Sequence, residues 1–323
     1  MAKTTVFKSG GRIKRGNLPS PLLWHGDAEA FLDALPEREL FDLVITSPPY
    51  NIGKPYEQPI ELDAYLAWQE RLLEKALLRL KKTGSICWQV GNFVQKGATG
   101  KESEILPLDI LFFEWFRRHR LKLRNRIIWH FGHGLHCKYR FSGRYEVVLW
   151  FTKSDDYHFD LDAVRIKSKY PGKKHFKGPR AGQYSCNPMG KNPEDVWTIE
   201  EESLTAWDLP VWDVPNVKSN HVEKTFHPCQ FPVALVDRFV LALTPQDGLV
   251  FDPFAGVASA GVASVLHGRR FWGCEVNRDY INEGVKRLND ALLGDALYRP
   301  FDKPIYDHTS SPLSRDPKRH ESD

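Results

Sequence analysis

The chain has 323 residues, 41% apolar and 27% charged, and its 45 Lys plus Arg against 41 Asp plus Glu give a formal net charge of +4. That composition is globular rather than collagen-like or disordered, and a chain of this length buries enough surface to hold a core without disulfides. No run of about 18 uncharged apolar residues occurs, so a transmembrane helix is excluded.

The start of the chain, MAKTTVFKSGGRIKRG, is basic but lacks an apolar h-region, so a secretory signal is not expected. Residues 1–20 are read as a basic arm, with Lys3, Lys8, Arg12, Lys14 and Arg15 and no acid. The run Phe41–Thr46 (FDLVIT) predicts a buried strand that stops at Pro48-Pro49, because proline cannot continue a central strand. Residues 61–81 carry Leu62, Tyr65, Leu66, Leu72, Leu73, Leu77 and Leu80 at helical spacing, an amphipathic helix ended by Thr83-Gly84 and followed by the strand SICWQVG. A helix over 107–118 and strands over 126–131 and 145–152 complete this half.

Residues 155–222 differ in texture. They are rich in Pro, Gly, Lys and aromatic residues, show little period, and are too long for a plain loop, so they read as an insert. Within it, residues 164–193 hold Arg165, Lys167, Lys169, Lys173, Lys174, Lys177, Arg180 and Lys191 with no Asp or Glu, a distribution suited to a polyanion such as DNA. Helix, strand, helix, strand and helix then follow over 233–243, 248–252, 259–266, 271–276 and 279–293, and a polar tail from about residue 310 reads as disordered. Alternating strands and helices imply an α/β fold with a mostly parallel sheet. The five cysteines, Cys87, Cys137, Cys186, Cys229 and Cys274, are widely spaced with no C-x-x-C pair, which argues against a disulfide framework or a zinc site and for a cytoplasmic chain with reduced thiols.

Ligands of open α/β sheets bind beyond the carboxyl ends of strands. Two strand-ends here stand out. At Thr46-Ser47-Pro48-Pro49-Tyr50-Asn51, two prolines remove two N–H donors, leaving the Ser47 hydroxyl and neighbouring carbonyls as an acceptor-rich pocket beside the Tyr50 ring. Such a pocket suits an NH2 group on a planar ring. At Asp252-Pro253-Phe254-Ala255-Gly256, Gly256 and Gly261 would let backbone approach a ligand, and Glu275 ends the next strand about 20 residues on, where an acid commonly receives ribose hydroxyls.

With these residues in view, the chain resembles the S-adenosylmethionine-dependent DNA amino-methyltransferases (N6-adenine or N4-cytosine) of the restriction-modification type, in their permuted β-class order. TSPPYN at 46–51 comes first, then the insert, then HPCQFP at 227–232 and FDPFAG at 251–256, and the likeness spans about residues 20–292. It implies a doubly wound, seven-stranded, Rossmann-like methyltransferase sheet, with a catalytic half at 21–154, a target-recognition insert at 155–222, a cofactor half at 223–295 and a tail at 296–323. It implies catalytic roles for Ser47, Pro48, Pro49 and Tyr50. It implies S-adenosylmethionine contacts from Asp27, His227, Gln230, Asp252, Phe254, Ala255, Gly256 and Glu275, and DNA contacts from Lys167, Lys169, Lys173, Lys174, Lys177 and Arg180. Trp129–Trp150, with Arg144-Tyr145-Glu146, resembles the end of the catalytic half, where a β-hairpin closes the sheet. There are departures: Val257 and Ala258 replace the usual Ser and second Gly of the cofactor loop, and Phe231 replaces a usual Lys.

The implied partner is double-stranded DNA, with no membrane and no metal; a cognate restriction endonuclease and a homodimer stay open, as does a phage rather than a prokaryotic source. Ser at position 47 leans to cytosine within the family and Asp to adenine, with exceptions, so both bases are kept. The target base would flip out of the duplex and stack on Tyr50. Its amine would give hydrogen bonds to Ser47 and the Pro48 carbonyl and attack the methyl group in line. Four rivals remain: a cytosine-C5 methyltransferase using Cys229 as nucleophile, a nicotinamide dehydrogenase, which lacks G-x-G-x-x-G, a non-enzymatic DNA-binding protein, and an RNA or protein methyltransferase.

Overall fold

The computed structural model describes residues 3–8, 18–51, 53, 58, 60–96, 103–130, 137–138, 140–168, 170–197, 217 and 221–299. Its centre is a nine-stranded sheet. In chain order the strands are β1 (Thr5–Lys8), β2 (Leu22–His25), β3 (Phe41–Thr46), β4 (Leu80–Val90), β7 (Lys122–His130), β8 (Tyr145–Thr152), β9 (Val196–Trp197), β10 (Leu249–Asp252) and β11 (Arg270–Glu275). Across the sheet the order is β1-β2-β11-β10-β3-β4-β8-β7-β9. Pairing is parallel from β1 to β4 and antiparallel for β4–β8 and β8–β7. A separate pair, β5 (Asn92–Lys96) and β6 (Ser103–Pro107), is antiparallel.

The seven strands from β2 to β7 are the expected sheet, and the antiparallel β7–β8 pair closes it over Trp129–Trp150, as the resemblance implies. Two edge strands extend it. β1 lies in the stretch read as an arm and pairs in parallel with β2, and β9 comes from the insert and pairs in parallel with β7. The insert is partly integrated elsewhere too. The Asp160 N–H donates to the Ala242 carbonyl, and Val164 and Ile166 are buried in the core.

Helices cover both faces. α4 (Val233–Leu243), α5 (Ser259–Leu266) and α6 (Arg278–Leu293) bury Val236, Val240, Val262 and Leu288 with Leu43, Ile45 and Val250 of the sheet. α1 (Ala28–Ala34), α2 (Leu62–Arg79) and α3 (Leu108–Arg118) bury Phe31, Tyr65, Leu72 and Phe112 with Val44, Trp88 and Phe251. Phe41 and Leu43 have the same parity yet face opposite layers, because the register of β3 against β4 shifts between them, as a β-bulge does.

Helix α2 ends earlier than the apolar spacing suggests, at Arg79, and Leu80 already pairs with Phe41. Buried Asp42 accounts for this: both its oxygens lie 2.8 Å from Lys81 Nζ, and Oδ2 also accepts the Leu249 N–H at 2.8 Å, which pulls the chain alongside β3. Gly261 does not serve a ligand. It lies inside α5, where an added Cβ would meet the Phe271 ring at 2.6 Å and Leu288 at 2.8 Å. Gly261→Ala is expected to cost about 1–3 kcal/mol by overpacking, read as a lower denaturation midpoint at unchanged slope. Among the described residues no helix is long and apolar enough to cross a membrane. The tail after residue 299, most of the N-terminal arm and Lys169 lie outside the described residues.

Candidate active site

The chain leaves β3 toward β4 on one side of the sheet, and β10 leads to β11 on the other. Between β3 and β10 the winding reverses, and a crevice opens beyond the carboxyl ends of the strands, as it must at such a switch point. A cavity of about 700 Å³ lies there. Its wall includes Asp27, Ser47, Pro48, Pro49, Tyr50, His227, Gln230, Asp252, Phe254, Gly256 and Glu275, so residues from opposite ends of the chain converge on one space. Ala255 is the exception. It is buried outside the cavity wall and its N–H is bound to the Cys274 carbonyl.

The two strand-ends are joined directly. Thr46 Oγ1 donates to Asp252 Oδ1 at 2.6 Å, and the same oxygen accepts the Phe254 N–H at 3.0 Å. Asp252 is 3% exposed. Burial, with a smaller push from Glu275, raises its carboxyl to about 7, against the opposing pull of those two hydrogen bonds. Glu275 accepts the Gly256 N–H at 2.9 Å and the Asn277 N–H at 2.7 Å, and burial raises its carboxyl as well. Gly256 has φ +51, and a Cβ there would sit 3.2 Å from His227 Nε2, so glycine is required both by conformation and by space. Burial lowers the His227 imidazole to about 4. It is therefore neutral at pH 7, and because Nδ1 accepts the Cys229 N–H, we assign its proton to Nε2.

Two predicted residues do other work in addition to lining the cavity. Gln230 braces its own loop: Oε1 accepts from the Thr225 N–H and hydroxyl, and Nε2 donates to the Glu223 carbonyl. Asp27 caps α1 through the Ala30 N–H at 3.0 Å. Ala258, in the place of the second loop glycine, takes the left-handed conformation (φ 61, ψ 39) that glycine would adopt at less cost. Its Cβ is fully buried toward Gly284 of α6, so the substitution does not narrow the cavity.

At the end of β3, Tyr65 of α2 donates to the Pro49 carbonyl at 2.8 Å. Asn51, at φ 59, clamps the following loop through two hydrogen bonds to the backbone of Ile60. The Tyr50 hydroxyl lies 3.1 Å from Ser47 Oγ, donates to Glu146 Oε2 at 3.1 Å and accepts from Gln89 Nε2 at 3.2 Å. Burial, then the Glu146 charge, holds the Tyr50 phenol well above its ordinary value, so it keeps its proton. Sequence reasoning misses Gln89 and Glu146 as site residues. Each sits within a strand, and only the pairing of β4 with β8 brings them beside Tyr50.

In the insert, Lys167, Lys173, Lys174, Lys177 and Arg180 are exposed. Backbone bonds between His175 and Gln183 and between Ser185 and Lys173 fold residues 173–185 into a ribbon, with Lys174 over the Tyr184 ring at 5.1 Å. Phe176 is 90% exposed beside Lys177. Arg165 and Lys191, by contrast, are paired with Asp162 and Glu194.

A doubly wound sheet whose crevice joins an acceptor-rich pocket to an acid-lined, glycine-walled one defines an α/β enzyme that handles a nucleoside-like cofactor. Residues 41–286 match the family described as DNA methylase. The chain is 40% identical over 268 residues to the Type II methyltransferase M.BglII of Bacillus subtilis, covering 83% of this chain and 68% of that protein. It is 30% identical over 272 residues to the DNA adenine methyltransferase YhdJ of Escherichia coli (strain K12), covering 83% and 81%. The solved structure of TTHA0409 from Thermus thermophilus, complexed with S-adenosyl-L-methionine, has the same fold, with TM-score 0.56 and 22% identity over 84% of this chain and 96% of that one. The chain belongs to the DNA methylase family that comprises the N6 and N4 amino-methyltransferases. Cys229 also lines the cavity, from an exposed loop ahead of α4, but the match to the N6/N4 family excludes the cytosine-C5 rival. The dehydrogenase and non-enzymatic readings fall with it.

Proposed function

We propose that the enzyme moves a methyl group from S-adenosylmethionine to the exocyclic amine of adenine or cytosine in double-stranded DNA. The observation that carries this reading is the junction of the two pockets. The Thr46–Asp252 hydrogen bond places the Ser47-Pro48-Pro49-Tyr50 turn against the cofactor loop, on adjacent strands in fixed register. The residues present fit the cofactor. The buried Asp252 carboxyl supplies negative charge to the cationic methionine part, Glu275 offers acceptor oxygens to ribose hydroxyls, and Gly256 leaves backbone rather than side chain at the wall. S-adenosylmethionine, when bound, supplies the electrophilic methyl group.

The chain's own residues do the rest. Ser47 and the Pro48 carbonyl accept the N–H bonds of the target amine, drawing its lone pair out of conjugation. The Tyr50 ring holds the flipped base, and the half-buried walls exclude water. Incubating the purified enzyme with plasmid DNA and S-adenosylmethionine, followed by nucleoside mass spectrometry, tests this. N6-methyladenine or N4-methylcytosine is expected, and the product identifies the base; 5-methylcytosine or no methylated base refutes the reading.

Target recognition falls to the basic ribbon. Charge reversal at Lys174, Lys177 and Arg180 is expected to weaken DNA binding across sequences. The slope of log K against log salt should become shallower by about one for each phosphate that is no longer neutralised. Binding isotherms at several salt concentrations read this directly. The Type II name of M.BglII supports a companion endonuclease with the same target sequence. Plasmid methylated by the enzyme would then resist that endonuclease.

A further inference from the structure

The base pocket contains a carboxylate that takes no part in the methyl transfer just described. Glu146 lies on β8 opposite Trp129, and its Oε2 accepts hydrogen bonds from the Tyr50 hydroxyl at 3.1 Å and from Gln89 Nε2. Ser47 Oγ lies 3.1 Å from the same Tyr50 oxygen. The protons on these three groups fall into one order. An ionised carboxylate accepts only, so Tyr50 gives its single proton to Glu146. The Tyr50 oxygen can then only accept, and it takes the Ser47 proton. Ser47 Oγ is left with lone pairs alone to turn toward the cavity that it lines.

That direction matters for an amine substrate. A serine hydroxyl free to rotate can also donate, and its natural target would be the amine lone pair that has to attack. Pinning the Ser47 proton on Tyr50 removes that option.

We propose that Glu146 is a positioning residue: by taking the Tyr50 proton it sets the direction of the Glu146–Tyr50–Ser47 chain and keeps Ser47 an acceptor for the N–H bonds of the target base. The inference rests on the amino-methyltransferase reading. Gln89 supports it by donating to both Glu146 and the Tyr50 oxygen, which fixes the carboxylate beside the phenol and keeps that oxygen an acceptor. The raised Tyr50 phenol holds its proton across the working range.

Glu146→Ala removes the acceptor and lets Tyr50 donate to Ser47, reversing the chain. Its kcat for DNA methylation is expected to fall about 10- to 100-fold, with the dissociation constant for S-adenosylmethionine unchanged. Glu146→Gln keeps an acceptor oxygen in the same place without the charge and should restore kcat to within a few-fold of wild type. Tyr50→Phe breaks the chain at its middle, so it should itself lower kcat, and adding Glu146→Ala to it should cost nothing further. Wild-type kcat in Glu146→Ala, full additivity with Tyr50→Phe, or a matching loss of S-adenosylmethionine affinity would each overturn the proposal. If Glu146→Ala does not fold, Tyr50→Phe decides alone, and wild-type kcat there refutes the chain. Failure of the wild-type enzyme to methylate DNA would instead strike the amino-methyltransferase reading.

Discussion

Replacing Ser47 by Ala is expected to lower methyl transfer by on the order of 10²-fold or more, with S-adenosylmethionine affinity retained. The Ser47 hydroxyl is bonded to Tyr50, on the base side of the crevice, whereas Asp252 and Glu275 are held by Thr46 and by backbone N–H groups of their own loops. In the proposed mechanism the substitution therefore removes an acceptor at the reacting amine and leaves the acid wall intact. The magnitude follows from what the site has to supply. An exocyclic amine is a poor nucleophile because its lone pair is delocalised into the ring, and preorganised acceptors are what localise it. Single-turnover methylation separates this loss from DNA binding, and a rate within a few-fold of wild type would remove Ser47 from the mechanism. Tyr50→Ala should lose at least as much, because it deletes both the ring that holds the base and the hydroxyl that orders Ser47.

The second large effect is on pH. Asp252 holds a proton up to about pH 7 in the cofactor-free enzyme because burial disfavours its charge. A cationic cofactor bound beside it, as proposed, would favour the ionised form, and binding would then expel that proton. S-adenosylmethionine affinity is thus expected to climb as pH rises toward about 7 and to level off above it. Calorimetry in buffers of different ionisation enthalpy should register net proton release on the acid side. Stability of the free enzyme runs the other way. A folded-state pKa above the unfolded value near 3.9 means that the folded chain holds the extra proton between those limits, so stability falls as pH rises from about 4 to about 7. Asp252→Asn should flatten both profiles, raise stability at pH 7 and weaken cofactor binding most at and above about pH 7, with the difference shrinking as pH falls. A cofactor affinity independent of pH in the wild type would show that Asp252 does not face the cation.

Much of this is readable in the sequence because it is written in local patterns. Phe41–Thr46 and Leu249–Asp252 are short apolar runs stopped by proline or by an acid before proline, and they form the two central strands that lead into the cavity. The α2 spacing marks the helix but not its end, since Leu80 continues the apolar period while the Lys81–Asp42 contact that draws it into β4 is tertiary. β1, β5, β6 and β9 have two to five residues each, and a strand that short has no periodicity to read; its partner defines it. Gly261 reads as a ligand-approach glycine in sequence because nothing local says which side of a helix meets a phenylalanine. Glu146 and Gln89 escape for a related reason. Their role depends on register across β4 and β8, which sets a residue near the start of one antiparallel strand beside one near the end of the other. Motif residues announce themselves by neighbours in sequence, whereas the residues that order them are neighbours only in space.

The residue just ahead of β1 touches helix α6: the Thr4 N–H donates to Asn289 Oδ1 at 3.0 Å, and β1 lies beside β2 at an edge of the sheet. Among the described residues, the insert between β8 and α4 contributes only β9 to the sheet, at its edge, so every pair from β1 through β7 in the sheet order forms without it. The two proposed pockets therefore depend on strands that meet in space, not on the order in which the chain supplies them.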